Sequence, residues 1–142
     1  MPDMQLAPDS IRNSAWAPDW SVPAGVRALM STRELDVRAQ PERWAAILGV
    51  ATPWLRQVHG TEVAVLGPKL PEGAITADAA VTTQASVACS VMVADCLPVL
   101  LSTRDGRGVG AAHAGWRGLA ATVASSTPAS AECGPSSCAW RP

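Results

Sequence analysis

The sequence, 142 residues long, predicts an α+β domain on three observations. Apolar runs of strand length, about four to eight residues bounded by Gly, Pro or Asp, recur between residues 54 and 113. Helical spacing is confined to Pro41–Leu48 and to a stretch from Gly115 to about residue 123. Hydrophobic residues make up 48% of the chain and charged residues 16%, the balance of a globular chain rather than a disordered one.

Residues 1–24 hold Pro2, Pro8, Pro18 and Pro23 with Trp16 and Trp20. They read as an irregular N-terminal arm whose tryptophans pack onto the body. Residues 25–30 alternate small and apolar side chains, as a strand entering Ser31-Thr32-Arg33. Pro41 suits the first helical position, Trp44, Ile47 and Leu48 fall at helical spacing, and Gly49 ends the helix. Residues 54–58 and 62–66 are strand-like and flank His59-Gly60-Thr61, a hairpin or tight turn. Pro68 and Pro71 mark a loop, and residues 79–82 a short strand. The near-continuous apolar run 87–94 belongs in the sheet interior. Asp105-Gly106, between residues 99–102 and 109–113, signals a second hairpin. Residues 125–142 are rich in breakers and read as an irregular or disordered tail. The division is thus an arm (1–24), a central domain (25–124) and a tail (125–142). With six Trp but no Phe or Tyr, the core must rest on Val, Leu and Ala, and small side chains pack a thin one.

Composition excludes several functions. The chain has 11 basic and 12 acidic residues, net −1, which argues against a basic nucleic-acid groove or a polybasic membrane patch. Residues 1–10, with Asp3 and Asp9 and no long apolar run, are not expected to act as a signal peptide. Its most apolar stretch, interrupted by Asp95 and Pro98, falls short of the roughly 18 residues of a membrane span. A cytoplasmic location follows, in which the four cysteines are metal ligands, reactive thiols or core fillers rather than disulfides.

His59, Cys96 and His113 each sit at the edge of a predicted strand beside a turn residue. Strand ends can aim side chains rigidly at one point. Two imidazoles and a thiolate suit zinc, and three protein ligands with a fourth position open is the catalytic pattern. Taken singly, each residue has a plainer reading as a turn histidine or a small core cysteine.

Four motifs run in order: Gln57-Val58-His59-Gly60, Ala77-Asp78-Ala79, residues 94–100 (Ala-Asp-Cys-Leu-Pro-Val-Leu) and residues 112–118 (Ala-His-Ala-Gly-Trp-Arg-Gly). Together, over about half of the chain, they resemble the YfiH-type laccase-domain family, once called multicopper polyphenol oxidases. Ser31-Thr32-Arg33 is similar to an early element of that family. The resemblance implies a layered α/β/β/α fold with mixed sheets. It implies zinc held by His59, Cys96 and His113, and action on purine nucleosides. The activities implied are phosphorolysis of adenosine, inosine, guanosine and methylthioadenosine, and deamination of adenosine.

The residues suit that chemistry. Zinc lowers the pKa of a coordinated water toward about 7, and zinc deaminases use a carboxylate that is not a ligand to shuttle protons. Cys96, His113 and Asp95 are the catalytic candidates. Asp78 is a second carboxylate candidate for the substrate side, unless it bonds locally or pairs with an arginine. Arg33 and Arg117 can bind phosphate through bidentate guanidinium donors, or form surface ion pairs. Gln57 can bond the purine or orient a ligand. Trp116 can stack on a base or plug the core. Copper is the lesser alternative to zinc. Two histidines cannot supply a multicopper cluster, and a single copper would need Met92, which reads as core filler, as its axial ligand.

The chain departs from the family twice. Glu34-Leu35-Asp36-Val37 runs into the Pro41 helix where members carry a Gly-rich loop. Members also continue past the 112–118 motif with further strands, so the C-terminal part of the fold is expected to be missing. That would leave a sheet edge and apolar surface open to self-association. Cys133 and Cys138 have no family role. The leading expectation is a zinc-dependent purine nucleoside enzyme. The alternatives are a cysteine hydrolase or amidase using Cys96 and His113, and an inactive metal-binding remnant.

Overall fold

The computed structural model describes residues 13–118. The expectations for residues 1–12, for the helix beyond residue 118 and for the tail with Cys133 and Cys138 lie outside the described residues.

Short strands β1 (Ala15–Trp16) and β2 (Met30–Ser31) pair antiparallel. The strand expected over residues 25–30 is thus only its last residue and the next. Gly25, at φ 84°, turns the chain instead. Trp16 and Trp20 do not pack onto the body as expected; they are 49% and 57% exposed.

Helix α1 (Pro41–Leu48) has the bounds its sequence predicts. Proline sets the first turn, and Gly49 closes it at φ 72° by donating its N–H to the Ala45 carbonyl, the left-handed cap that glycine adopts without Cβ strain. Trp44 is the buried anchor of the helix.

The remaining elements are β3 (Leu55–Arg56), β4 (Val63–Leu66), β5 (Ile75–Thr76), β6 (Ala79–Thr82), β7 (Leu97–Ser102) and β8 (Val109–Ala114). Strands β3 and β5 form a parallel pair. The main sheet has the order β4-β6-β8-β7, with β4 parallel to β6 and the other two pairings antiparallel. The mixed α+β class is therefore as expected. So is the hairpin joining β7 to β8, where Gly106 takes φ 70° and Asp105 accepts the Arg107 N–H at 3.1 Å.

Of the hairpin or tight turn expected at residues 59–61, the structure has the turn, a bend at residues 59–60, and not the hairpin. Strands β3 and β4 both run parallel to partners on the segment 75–82, and they do so in two separate ladders. Arg56 pairs with Thr76 and Val63 with Ala79, so the six residues 57–62 stand opposite only the two residues 77–78. The excess chain bows out as a loop between the ladders, and it carries His59.

The run 87–94 is not a strand either. Val87 makes an isolated bridge to Ala51, and the residues after it form no ladder. The interior placement holds for Val87 alone; residues 88–93 are half-buried and Ala94 is exposed, because a central strand needs a neighbouring backbone on each side as well as apolar sequence.

By strand alternation, Leu66 and Ala80 point to one side of the sheet. There they form a core with Leu55, Ala77 and Val87. Four of the nine buried apolar residues among those described are alanines, the thin core that the composition predicts. On the opposite side, Val65 on the edge strand β4 is 82% exposed and Leu97 on the edge strand β7 65%, two apolar side chains at the outer edges of the sheet.

Candidate metal centre

The topology brings one end of every strand in the main sheet together. Strand β7 begins where β8 ends, with Leu97 opposite Ala114 and Pro98 opposite His113. Cys96 therefore stands just outside the first pair. Strand β6 begins beside the same end of β8, where the His113 N–H donates to the Asp78 carbonyl at 2.7 Å. The loop 57–62 precedes β4 at this end too. Cys96, His113 and His59 thus arrive from three different segments. Their ligand atoms all lie within 4.8 Å of one another. His59 Nε2 is 3.9 Å from Cys96 Sγ, and the two imidazoles meet edge to face with centroids 4.7 Å apart.

Asp78 sits behind the cluster. Its side chain is 3% exposed, and Oδ1 lies 2.9 Å from His113 Nδ1. Oδ1 also accepts the His59 N–H at 2.9 Å, while Oδ2 accepts those of Val58 at 3.1 Å and Gly60 at 2.8 Å. Burial pushes this carboxyl up, but the His113 bond and the three backbone donors outweigh it, and the net shift is downward from 3.8. The same turn holds His59 at φ 59°, the one left-handed residue other than glycine among those described. Such a conformation persists only where the surroundings enforce it, and here the carboxylate supplies that restraint.

Gln57 fixes the approach to Cys96. Its Nε2 donates to the Met92 carbonyl at 2.8 Å, and its Oε1 accepts the Met92 N–H at 2.7 Å. The side-chain amide thereby replaces the strand neighbour that the segment lacks. Gly115 completes the cradle. A Cβ there would lie 3.1 Å from His59 Cδ2, 3.4 Å from Cys96 Sγ and 3.7 Å from His113 Cε1.

The donor set fits a metal ion. Two imidazoles and a thiolate converge, one imidazole is oriented from behind by a carboxylate as metal-binding histidines characteristically are, and the one position that would crowd the ligands is a glycine.

The other sequence candidates are placed as follows. Asp78 and Gln57, considered for the substrate side, have their polar atoms engaged within the fold, Asp78 with His113 and three backbone N–H groups and Gln57 with the Met92 backbone. Asp95 is exposed beside Cys96. Arg117 is exposed, with its guanidinium carbon 5.4 Å from the ring centroid of Trp116. Trp116 is 72% exposed, so it is no core plug. Arg33 is not brought to the cluster. It is 96% exposed, pairs with Glu34 at 3.7 Å, and lines an open cavity of about 740 Å³ with Ser14, Thr32 and Arg43. What the sequence reading missed is the cradle role of Gly115. The available signal was a glycine two residues after a ligand at a strand end.

Comparison with known proteins places the chain in a family. A family model described as multi-copper polyphenol oxidoreductase laccase matches residues 29–137. A purine nucleoside phosphorylase of Pseudomonas aeruginosa is 39% identical over 136 residues, covering 80% of this chain and 55% of that protein. The purine nucleoside phosphorylase YfiH of Escherichia coli is 38% identical over 133 residues, covering 78% of this chain and 54% of that protein. A solved structure from Neisseria meningitidis superposes with a TM-score of 0.66 at 36% identity, covering 78% of this chain and 54% of the other. The chain spans about half the length of the curated relatives it matches.

Proposed function

The chain belongs to the multi-copper polyphenol oxidoreductase laccase family, and on that premise we propose that it is a zinc-dependent purine nucleoside enzyme. The observation that carries this reading is the convergence of His59, Cys96 and His113 within 4.8 Å from three separate segments. Two imidazoles and a thiolate with a fourth position open suit zinc; the same donors with an axial methionine hold copper, which stays the lesser alternative. When bound, the metal supplies a Lewis-acid position for substrate or water.

The reaction proposed is phosphorolysis of adenosine, inosine, guanosine or methylthioadenosine, with adenosine deamination as a second activity. In phosphorolysis a phosphate oxygen bonds to the sugar C1′ as the bond from C1′ to the purine nitrogen breaks. The base leaves with a proton, and the sugar 1-phosphate remains. Arg117 is the better placed phosphate ligand, since it follows the glycine of the cradle by two residues whereas Arg33 lines a separate cavity. Exposed Trp116 offers a ring face for the base. Asp95, exposed beside Cys96, is the carboxylate free to carry a proton; Asp78 is not. Among the described residues no helix is long and apolar enough to cross a membrane. Cys89 and Cys96 are free thiols, consistent with a reducing cytoplasmic setting.

The test is zinc content per chain, followed by phosphate-dependent release of adenine and release of ammonia from adenosine. Stoichiometric zinc with turnover that is lost in His113→Ala supports the proposal. Stoichiometric zinc without turnover of any purine nucleoside defeats it and favours the binding remnant. A cysteine hydrolase is the second reading, favoured by one observation: His113 is oriented by Asp78 at 2.9 Å, as a general base beside a nucleophile would be. On that reading, metal-free protein is active and alkylation of Cys96 abolishes the activity.

A further inference from the structure

We infer that Asp78 is the positioning residue of the metal centre, one carboxylate that orients both ligating histidines at once. The inference rests on the metal reading above. His59 and His113 come from a loop and a strand 54 residues apart in the chain, and they share no backbone pairing. They are joined through Asp78 Oδ1, which accepts the His59 N–H and lies 2.9 Å from His113 Nδ1.

Two consequences follow from donor and acceptor chemistry. The carboxylate receives three backbone N–H groups, so it acts as an acceptor toward His113 as well. The His113 proton then sits on Nδ1, and Nε2 turns its lone pair toward Cys96 and His59. The other oxygen, Oδ2, holds the Val58 and Gly60 N–H groups, so the turn bearing His59 is formed before any metal arrives. The His113 ring and the backbone that bears His59 are thereby preorganised, which lowers the affinity lost to ordering them on binding. Asparagine cannot take over. Whichever way its amide is turned, its NH₂ faces two donors.

The experiment uses the full chain labelled with ¹⁵N at histidine. The chain has two histidines, so their ring signals are assigned with one His59→Ala control. At mildly alkaline pH, metal-free protein should show His113 protonated on Nδ1. A proton on Nε2, or the tautomer mixture of free histidine, overturns the inference without touching the metal reading. Titration with Zn²⁺ should then shift Nε2 of both rings; no shift in either would sink the metal reading instead. In Asp78→Asn the Nδ1 preference should be lost and Zn²⁺ affinity should fall about 10- to 100-fold, the range for partners that orient ligands. The visible bands of the Co²⁺-loaded protein should shift as well. Wild-type affinity and an unshifted Co²⁺ spectrum in Asp78→Asn would also overturn it. Should that variant fail to fold, the tautomer of the wild-type protein decides alone.

Discussion

Replacing Gly115 with alanine is the most direct probe of the cluster, because it adds one methyl group and removes no ligand. The new Cβ would lie 3.1 Å from His59 Cδ2 and 3.4 Å from Cys96 Sγ. Carbon atoms prefer a separation of about 3.5–4.0 Å, so the His59 ring must retreat by a few tenths of an ångström. Metal sites hold their distances to within about 0.2 Å. In metal-free protein the exposed His59 ring can swing aside, and the loss of glycine freedom in the unfolded chain favours the variant by about 0.4–1 kcal/mol. Thermal stability without metal should therefore be unchanged or slightly raised. With metal the ring must return against the methyl group, and overpacking of this kind costs about 1–3 kcal/mol. At about 1.4 kcal/mol per tenfold, the expected fall in Zn²⁺ affinity is about 5- to 140-fold. The assay is competition against a chelator of known affinity, with thermal unfolding of the metal-free protein alongside. Wild-type affinity in Gly115→Ala would mean that the metal does not sit between these three side chains.

Gly118→Ala should behave oppositely. Its Cβ would lie 2.8 Å from the Gly60 carbonyl oxygen, which belongs to the turn that Asp78 holds, so metal-free thermal stability should fall by about 1–3 kcal/mol. The depressed carboxyl of Asp78 contributes stability above its ordinary value of 3.8, and that contribution is lost as pH falls through the lower folded value. Stability should accordingly fall less steeply in Asp78→Asn than in wild type as pH drops from 3.8 toward that lower value, read from unfolding curves across that interval. Burial pushes the Cys89 thiol up from 9.0 to about 11, so its contribution is full below pH 9.0 and lost as pH rises through about 11. Peptide mapping after iodoacetamide treatment at neutral pH should find Cys89 largely unmodified. Trp116→Ala should leave the melting temperature unchanged, because the ring is 72% exposed, while raising KM for the nucleoside; an unchanged KM removes Trp116 from the substrate site. Val65→Lys, on an edge-strand residue 82% exposed, should shift any self-associated species toward monomer in sedimentation velocity, and an unaltered profile would rule this edge out as the contact.

Much of the centre was legible as a set of residues. The order of four motifs marked His59, Cys96 and His113, and those three converge. The roles of Asp78 and Gln57 were only half legible. A carboxylate and an amide near a site suggest substrate contacts by type, whereas their use for backbone N–H groups depends on which segment lies alongside. Arg33 reads like Arg117 in one dimension, yet the two occupy different surfaces.

Some features needed nothing beyond the sequence, because they are set within a few residues. Helix α1 is bounded by the fixed φ of Pro41 and the left-handed cap of Gly49. The turn from β7 to β8 is formed by Asp105 and Gly106. The alanine-rich thinness of the core follows from composition. What the tertiary structure decided is where the chain finds partners distant along it. Residues 59–61 look like a hairpin because apolar runs flank a glycine, but both runs pair with the segment 75–82, and the four residues of excess length are driven outward as the loop that carries His59. The run 87–94 is buried at Val87 and half-buried over residues 88–93, and it is no strand, because its backbone finds a glutamine side chain and a single bridge where a ladder would need a second strand. Local chemistry limits each segment's conformations. Pairing over long separations selects among them, and the metal cluster lies where those pairings end.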